Sequence, residues 1–225
     1  MTKGEAEKRK KHKDLIIRLK EHSEVYSPRE DTDLMIQAIQ HISKDESLID
    51  SHISILEIGT GSGILSIYLL RAFKIDKLIA TDISPIAAEI ATENISNNLS
   101  YTPQGTNIVV MELFNGFQKR PLFDLIVFNP PYVPTPQGEL SREGIFHSWA
   151  GGKQGKQVIL AFLEDCSLFL KPKGQILLLI SSLNNLTEIQ KFASEKCSLL
   201  SQIIVSKSVG YEKLYVLKLF LKKEA

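Results

Sequence analysis

The sequence predicts an α/β protein built on a mostly parallel, doubly wound sheet with helices on both faces. Three observations carry this. Apolar periodicity alternates between short strand-like and longer helix-like runs along the 225 residues. A glycine-rich turn, Gly59-Thr60-Gly61-Ser62-Gly63, joins the first strand of the series to the next helix. The last two strands are separated by only Val209-Gly210-Tyr211-Glu212, too short for a parallel crossover, so that pair must be antiparallel.

In chain order, Ser27-Pro28-Arg29-Glu30 reads as a helix start, with Ser27 as N-cap, Pro28 at the first position and Glu30 closing a capping box. Leu34, Met35, Ala38, Ile39 and Ile42 continue at helical spacing. Strands are expected at 53–58, 77–82, 107–113, 123–129 and 174–182, and the terminal pair at 199–206 and 213–221. Helices are expected at 64–73, 85–97 (Ser84 as N-cap), 154–170 and 187–197. This gives seven strands with the last antiparallel, a single domain over 23–225 preceded by a basic extension over 1–22.

Composition excludes several classes. Apolar residues are 43% and charged residues 24%, ordinary for a globular chain and unlike a disordered or fibrous one. No run reaches the 18 or so apolar residues of a membrane helix, and the charged N-terminus has no signal-like apolar stretch. Cys166 and Cys197 stand outside any CxxC pair, which favours reduced thiols and a cytoplasmic protein. Residues 1–20 carry eight Lys/Arg against three Asp/Glu, while the remaining 205 carry 19 against 23. The body is therefore slightly acidic, unlike a dedicated nucleic-acid binder. The basic head reads as a solvated, partly frayed helix, with contact to RNA, a membrane or an acidic partner as the alternative.

Chemistry concentrates at three strand ends. In an open parallel sheet, ligands bind beyond the carboxyl ends of the strands where strand order reverses. Glu57-Ile58-Gly59-Thr60-Gly61-Ser62-Gly63 is a GxGxG loop, not the GxGxxG of dinucleotide sites, and the preceding carboxylate suits a cationic ligand better than a pyrophosphate. Asp82, about twenty residues on, can accept from ribose hydroxyls. Glu112-Leu113 adds a carboxylate to the same rim. Asn129-Pro130-Pro131-Tyr132 closes the fourth strand. Two prolines hold that turn rigid, so the Asn129 side-chain oxygen and the Pro130 carbonyl can accept both hydrogens of a planar amine, with the Tyr132 ring as a stacking face. Such a clamp orients a nitrogen for in-line attack without needing a strong base. The histidines form neither HExxH nor a zinc spacing, so no metal is expected, and no GxSxG elbow is present.

These motifs, in this order, resemble a class I, Rossmann-like methyltransferase that uses S-adenosylmethionine, over nearly all of residues 23–222. Val25-Tyr26-Ser27-Pro28-Arg29-Glu30-Asp31-Thr32 is similar to the VYxPxEDT segment of the HemK-related glutamine methyltransferases, and Trp149-Ala150-Gly151-Gly152, with Gly155, resembles the loop after NPPY in that family. Too few residues precede Tyr26 for the helical substrate domain of the bacterial form, so the resemblance is to the short eukaryotic and archaeal form.

The resemblance implies methyl transfer to the side-chain amide of the glutamine in the Gly-Gly-Gln loop of a translation termination factor. Asn129, Pro130 and Tyr132 would be catalytic, and Pro131 would join them in gripping substrate. Thr32, Glu57, Gly59, Gly61, Gly63, Asp82, Ile83, Glu112, Leu113 and Asn129 would hold the cofactor. Of the VYxPxEDT segment, the capping box already accounts for Ser27, Pro28 and Glu30, leaving Asp31 and Thr32 as functional. Glu112 departs from the usual Asp by one methylene. The resemblance also implies a small zinc-containing activator protein covering an exposed edge strand, here Ile108-Val109-Val110-Met111, which carries no charge. The NPPY clamp by itself also admits an adenine or guanine amine of DNA or RNA, and a protein lysine is a further alternative. The acidic body and the lack of a separate recognition domain disfavour a polyanionic substrate.

Overall fold

The computed structural model describes residues 8–12, 15–45, 48, 51–133 and 156–222. Trp149 and its neighbouring glycines lie outside the described residues.

In chain order the elements are β1 (Lys8–His12), β2 (Leu15–Leu19), α1 (Glu30–Ile42), β3 (Ile53–Ile58), α2 (Ile64–Ala72), β4 (Ile75–Asp82), α3 (Pro85–Asn98), β5 (Thr106–Val110), β6 (Phe123–Phe128), α4 (Gln157–Phe169), β7 (Leu170–Ser181), α5 (Leu186–Lys196), β8 (Leu199–Val209) and β9 (Glu212–Leu221). A 3-10 turn, Ser182–Asn184, follows β7.

Seven strands form one sheet in the order β5-β4-β3-β6-β7-β9-β8. β5, β4, β3, β6 and β7 run parallel, and β9 is antiparallel to both β7 and β8. The expected doubly wound sheet with its antiparallel end is therefore present. The order reverses between β3 and β6: the chain first builds outward through β4 to β5, then returns to the other side of β3. That switch point opens a crevice at the ends of β3, β4 and β6. The central strands are apolar on both faces, as sandwiching between helices requires; Ile55, Leu56, Leu125 and Ile126 are all inaccessible to water.

The N-terminal head departs from the expected helix. β1 and β2 pair as an antiparallel hairpin. Ile17 and Leu19 turn into the main core while Arg18 between them faces water, a period of two that no helix supports. α1 also starts later than expected. Its N-cap is Arg29, in extended conformation, and the Arg29 N–H donates to Thr32 Oγ1 at 3.4 Å. Ser27 and Pro28 stay outside the helix.

β5 ends at Val110, three residues short of the expected strand. Met111 N–H still donates to the Asp82 carbonyl at 2.8 Å, but Leu113 adopts φ 45° and the chain turns inward. The turn is driven by Phe114, which stacks on Phe169 at 4.6 Å between ring centroids and on Phe162 at 5.5 Å. Phe162 also meets Phe128 at 4.9 Å, the last residue of β6. Burial of each ring is worth about 1.5–3 kcal/mol. This cluster fixes both the Glu112-Leu113 turn and the strand end that carries Asn129.

Candidate active site

A cavity of about 700 Å³ occupies the crevice at the switch point. Its floor is the turn after β3. Gly59, Gly61 and Gly63 all take positive φ, 67°, 52° and 77°, which other residues adopt only at a cost. The turn is pinned by Thr60 N–H donating to the Thr81 carbonyl and Gly63 N–H donating to the Thr60 carbonyl, each at 2.9 Å. Gly59 and Gly61 line the cavity, whereas Gly63 does not. A Cβ at Gly63 would stand 2.9 Å from Ala91 Cα, so this glycine serves the close approach of α2 to α3.

Asp82 ends β4 and faces the cavity. Oδ2 accepts from Gly61 N–H and Oδ1 from Ser84 N–H, both at 2.9 Å. Burial pushes its carboxyl above the usual range, opposed by the backbone N–H groups of Ser84, Gly61 and Ile83. Ile83 is 55% exposed on the wall, and Leu113 and Glu112 complete that side.

Glu57 stands elsewhere. It is 1% exposed, does not line the cavity, and its Oε2 accepts from Ser66 Oγ beneath the glycine turn. Oε1 is buried with no hydrogen-bond partner among the described residues. Desolvation raises its carboxyl to about 8, against lowering by hydrogen bonds from Ser66 and Thr60.

The opposite wall is Asn129, Pro130, Pro131 and Tyr132, joined by Tyr26, Asp31 and Thr32. Asp31 is a hub. Its Oδ1 accepts from Thr32 N–H at 2.7 Å and Thr32 Oγ1 at 3.2 Å, its Oδ2 accepts from Asn129 Nδ2 at 3.2 Å, and the Tyr26 hydroxyl also bonds to it. The Asn129 amide presents its nitrogen to Asp31 and its oxygen to the other side. That Oδ1 is buried and has no partner among the described residues. Burial and the nearby Asp31 carboxylate push both the Tyr26 and Tyr132 hydroxyls up, so both remain protonated donors. Tyr132 is held from behind, its carbonyl accepting from Asn184 Nδ2 at 2.7 Å.

Asn184 and the cavity-lining Glu212 were not legible as site residues: an Asn-Asn pair reads as a turn, and Glu212 as one end of a hairpin. Among the described residues, no group of three or more His, Cys, Asp or Glu is placed to hold a metal ion, and no helix is long and apolar enough to cross a membrane.

Residues 29–130 match the family model for ribosomal protein L11 methyltransferase (PrmA). Human methyltransferase HEMK2 is 35% identical over 199 residues, spanning 87% of this chain and 89% of the human protein. This chain belongs to the HEMK2 family of methyltransferases. Within that family, the eRF1 methyltransferase catalytic subunit mtq2 of Schizosaccharomyces pombe is 30% identical over 214 residues, covering 91% of this chain and 92% of the yeast protein. Among solved structures, a chain of the E. cuniculi Mtq2–Trm112 complex superposes with a TM-score of 0.63 at 24% identity, covering 88% and 99% of the two chains. M. jannaschii TYW2 in complex with AdoMet gives 0.62 at 15% identity, covering 99% and 90%. These two likenesses bear on the fold.

As a HEMK2-family member the protein is an S-adenosylmethionine-dependent methyltransferase, and its residues fit that cofactor. A Cβ built on Gly61 meets nothing within 4 Å, so the turn leaves open space beside its backbone. The part-desolvated Asp82 carboxylate gains from hydroxyl donors, and the exposed Ile83 offers an apolar face to a base.

Proposed function

We propose that the enzyme methylates the side-chain amide nitrogen of the glutamine in the Gly-Gly-Gln loop of a translation termination factor. The single observation that carries this reading is Asn129 Oδ1, buried and without a hydrogen-bond partner among the described residues, while Asn129 Nδ2 donates to Asp31. A buried acceptor without a partner costs about 1–3 kcal/mol, and a substrate N–H restores it.

Bound S-adenosylmethionine supplies an electrophilic methyl group on a sulfonium. Asp82 would hold the ribose, Ile83 and Leu113 would flank the adenine with Glu112 at its edge, and Gly59, Gly61 and Thr32 would line the remainder. Asn129 Oδ1 and the Pro130 carbonyl accept the two amide hydrogens, which fixes the plane of the substrate nitrogen. Tyr132 packs against that plane, and Pro131 stiffens the turn. An amide nitrogen is a poor nucleophile because its lone pair is delocalised, so orientation is the main contribution these residues make. As the N–C bond forms, the methyl–sulfur bond would break, S-adenosylhomocysteine would leave, and the nitrogen would shed one proton to water.

Charge favours a protein loop over nucleic acid. Glu24, Glu30, Asp31, Asp82, Glu112 and Glu212 line the cavity against Arg29 alone among cationic lining residues described. Phosphates brought to such a mouth meet repulsion, whereas a slim glycine-rich loop does not. The N-terminal head retains its basic sequence, but it forms a hairpin that leads away from this mouth along α3.

A small activator protein, zinc-containing in the family resemblance, would seat on the β5 edge, making the active species a cytoplasmic heterodimer. β5 is the outermost strand, with Val109 38% and Val110 52% exposed. An apolar unpaired edge of this kind invites a partner strand.

The test is transfer of labelled methyl from S-adenosylmethionine to a termination factor with Gly-Gly-Gln intact, to the same factor with that glutamine changed to alanine, and to DNA and RNA. Labelling that requires the glutamine is expected. Equal labelling of both factors, or of nucleic acid alone, overturns the reading.

A further inference from the structure

The N-terminal segment is bound to α3 by side chains that imitate a strand. Asn94 is fully buried. Its Oδ1 accepts from Lys20 N–H at 2.7 Å and its Nδ2 donates to the Lys20 carbonyl at 3.1 Å. One turn later, Asn98 Oδ1 accepts from Arg18 N–H at 2.9 Å and its Nδ2 donates to the Arg18 carbonyl at 2.7 Å. Four helical residues rise about 6.0 Å, close to the ~6.6 Å of two strand residues, so the two asparagines continue the backbone ladder of β2. Lys20 pairs with Glu93 at 2.8 Å, and Val25 packs on Ala87 and Ile90. Residues 18–25 thus form a strap running antiparallel to α3 toward the cavity, where the next residue, Tyr26, bonds Asp31.

Asn94 makes one further bond. Its Nδ2 also donates to the Ser62 carbonyl at 2.9 Å, in the glycine turn. A single buried amide therefore joins the cofactor floor to the strap that ends at the Asp31–Asn129 hub. We propose that Asn94 is a positioning residue for both halves of the site, so that seating S-adenosylmethionine on the glycine turn and ordering the N-terminal strap are coupled through it. This rests on the assignment of the glycine turn to the cofactor.

Two measurements on the full chain test it. NMR-detected hydrogen exchange should slow at the Lys20 amide when S-adenosylmethionine is added, in wild type and in Asn98→Ala but not in Asn94→Ala. Calorimetry should show cofactor affinity at least tenfold weaker for Asn94→Ala and less than threefold weaker for Asn98→Ala, which leaves the Ser62 bond intact. Slowing at Lys20 greater than at core amides that exchange by global unfolding separates the coupling from the general stabilisation any ligand gives. Unchanged wild-type exchange at Lys20, or equal affinity losses in the two variants, overturns the coupling. If Asn94→Ala does not fold, the wild-type exchange result decides. Asp82→Ala serves as reference: normal cofactor affinity in that variant would strike at the cofactor assignment itself, not at the coupling.

Discussion

Asn129 donates its side-chain nitrogen to Asp31 Oδ2 across 3.2 Å, linking residues 98 positions apart. The bond selects one of two orientations of the amide. With nitrogen committed to a carboxylate, the oxygen is left buried with no hydrogen-bond partner among the described residues. Asp31→Ala should release that choice. The amide can then turn, and kcat should fall about 10²-fold, the scale on which misplacement of a positioned group acts. Affinity for S-adenosylmethionine should change little by comparison. Asn129→Ala should abolish turnover while sparing the cofactor, since it removes the acceptor itself. Steady-state kinetics with calorimetry check both, and near-wild-type kcat in either variant contradicts the clamp.

Asp82→Ala should weaken cofactor binding by one to two orders of magnitude. Hydrogen bonds to a charged acceptor are worth about 1.5–3 kcal/mol each. The substitution also frees the Gly61 and Ser84 N–H groups that Asp82 now holds, loosening the turn. Unchanged affinity by calorimetry would remove Asp82 from the site.

Two glycines of one turn should fail differently. Alanine at either meets the left-handed backbone penalty of about 1–2 kcal/mol. At Gly63 the added methyl also strikes Ala91, whose Cα, O and Cβ stand 2.9, 3.0 and 3.1 Å away, and overpacking adds about 1–3 kcal/mol. At Gly61 it strikes nothing of the protein, but it occupies space beside the cavity. Gly63→Ala should therefore give the larger drop in Tm and Gly61→Ala the larger loss of cofactor affinity. The reverse ranking would contradict the packing role given to Gly63.

The alternation of periods, the glycine turn and the short final hairpin made the sheet and its antiparallel end legible, because each is a local signal tied to one topology. Asp82 and Asn129 were legible for the same reason: a polar residue closing an apolar strand marks its position. What escaped depended on distant packing. The end of β5 is set by Phe114 finding Phe162 and Phe169, some fifty residues on. The head became a hairpin because Asn94 and Asn98 supply it with a ladder, and nothing in residues 1–20 announces that partner. Glu57 looked like a ligand contact from its place before the turn, yet the pleat points it at Ser66 under the turn instead.

That buried carboxyl gives a pH signature in the cofactor-free protein. Burial pushes it up to about 8, above the 4.5 of a solvated glutamate, so the folded state holds the extra proton between those values. The stability it contributes is fully present below about pH 4.5 and is lost as pH rises through about 8, at up to about 1.4 kcal/mol per pH unit. Glu57→Gln keeps an acceptor for Ser66 and cannot ionise. Its stability relative to wild type should therefore rise between pH 5.5 and pH 8.5 in denaturant titrations. A pH-independent difference would mean that Glu57 is not a neutral buried acid.

The edge of the sheet makes the last prediction. β5 offers one side of its backbone to β4 and the other to solvent, and Val110 stands half exposed beside Met111, whose N–H holds the Asp82 carbonyl. A protein seated on β5 would thus brace the strand that carries Asp82, the carboxylate proposed to hold the ribose. Val110→Lys places a charge on that edge, a device that blocks strand pairing while leaving the existing β4–β5 ladder intact. The fold should survive within about 0.5 kcal/mol, as for an exposed substitution. Association with the proposed activator, measured by co-purification and sedimentation, should be lost, and S-adenosylmethionine affinity should drop to the level of the isolated subunit. A Val110→Lys chain that still forms a heterodimer would place the partner on another face. A wild-type monomer with full activity would show that β5 needs no partner for the Asp82 side of the site to form.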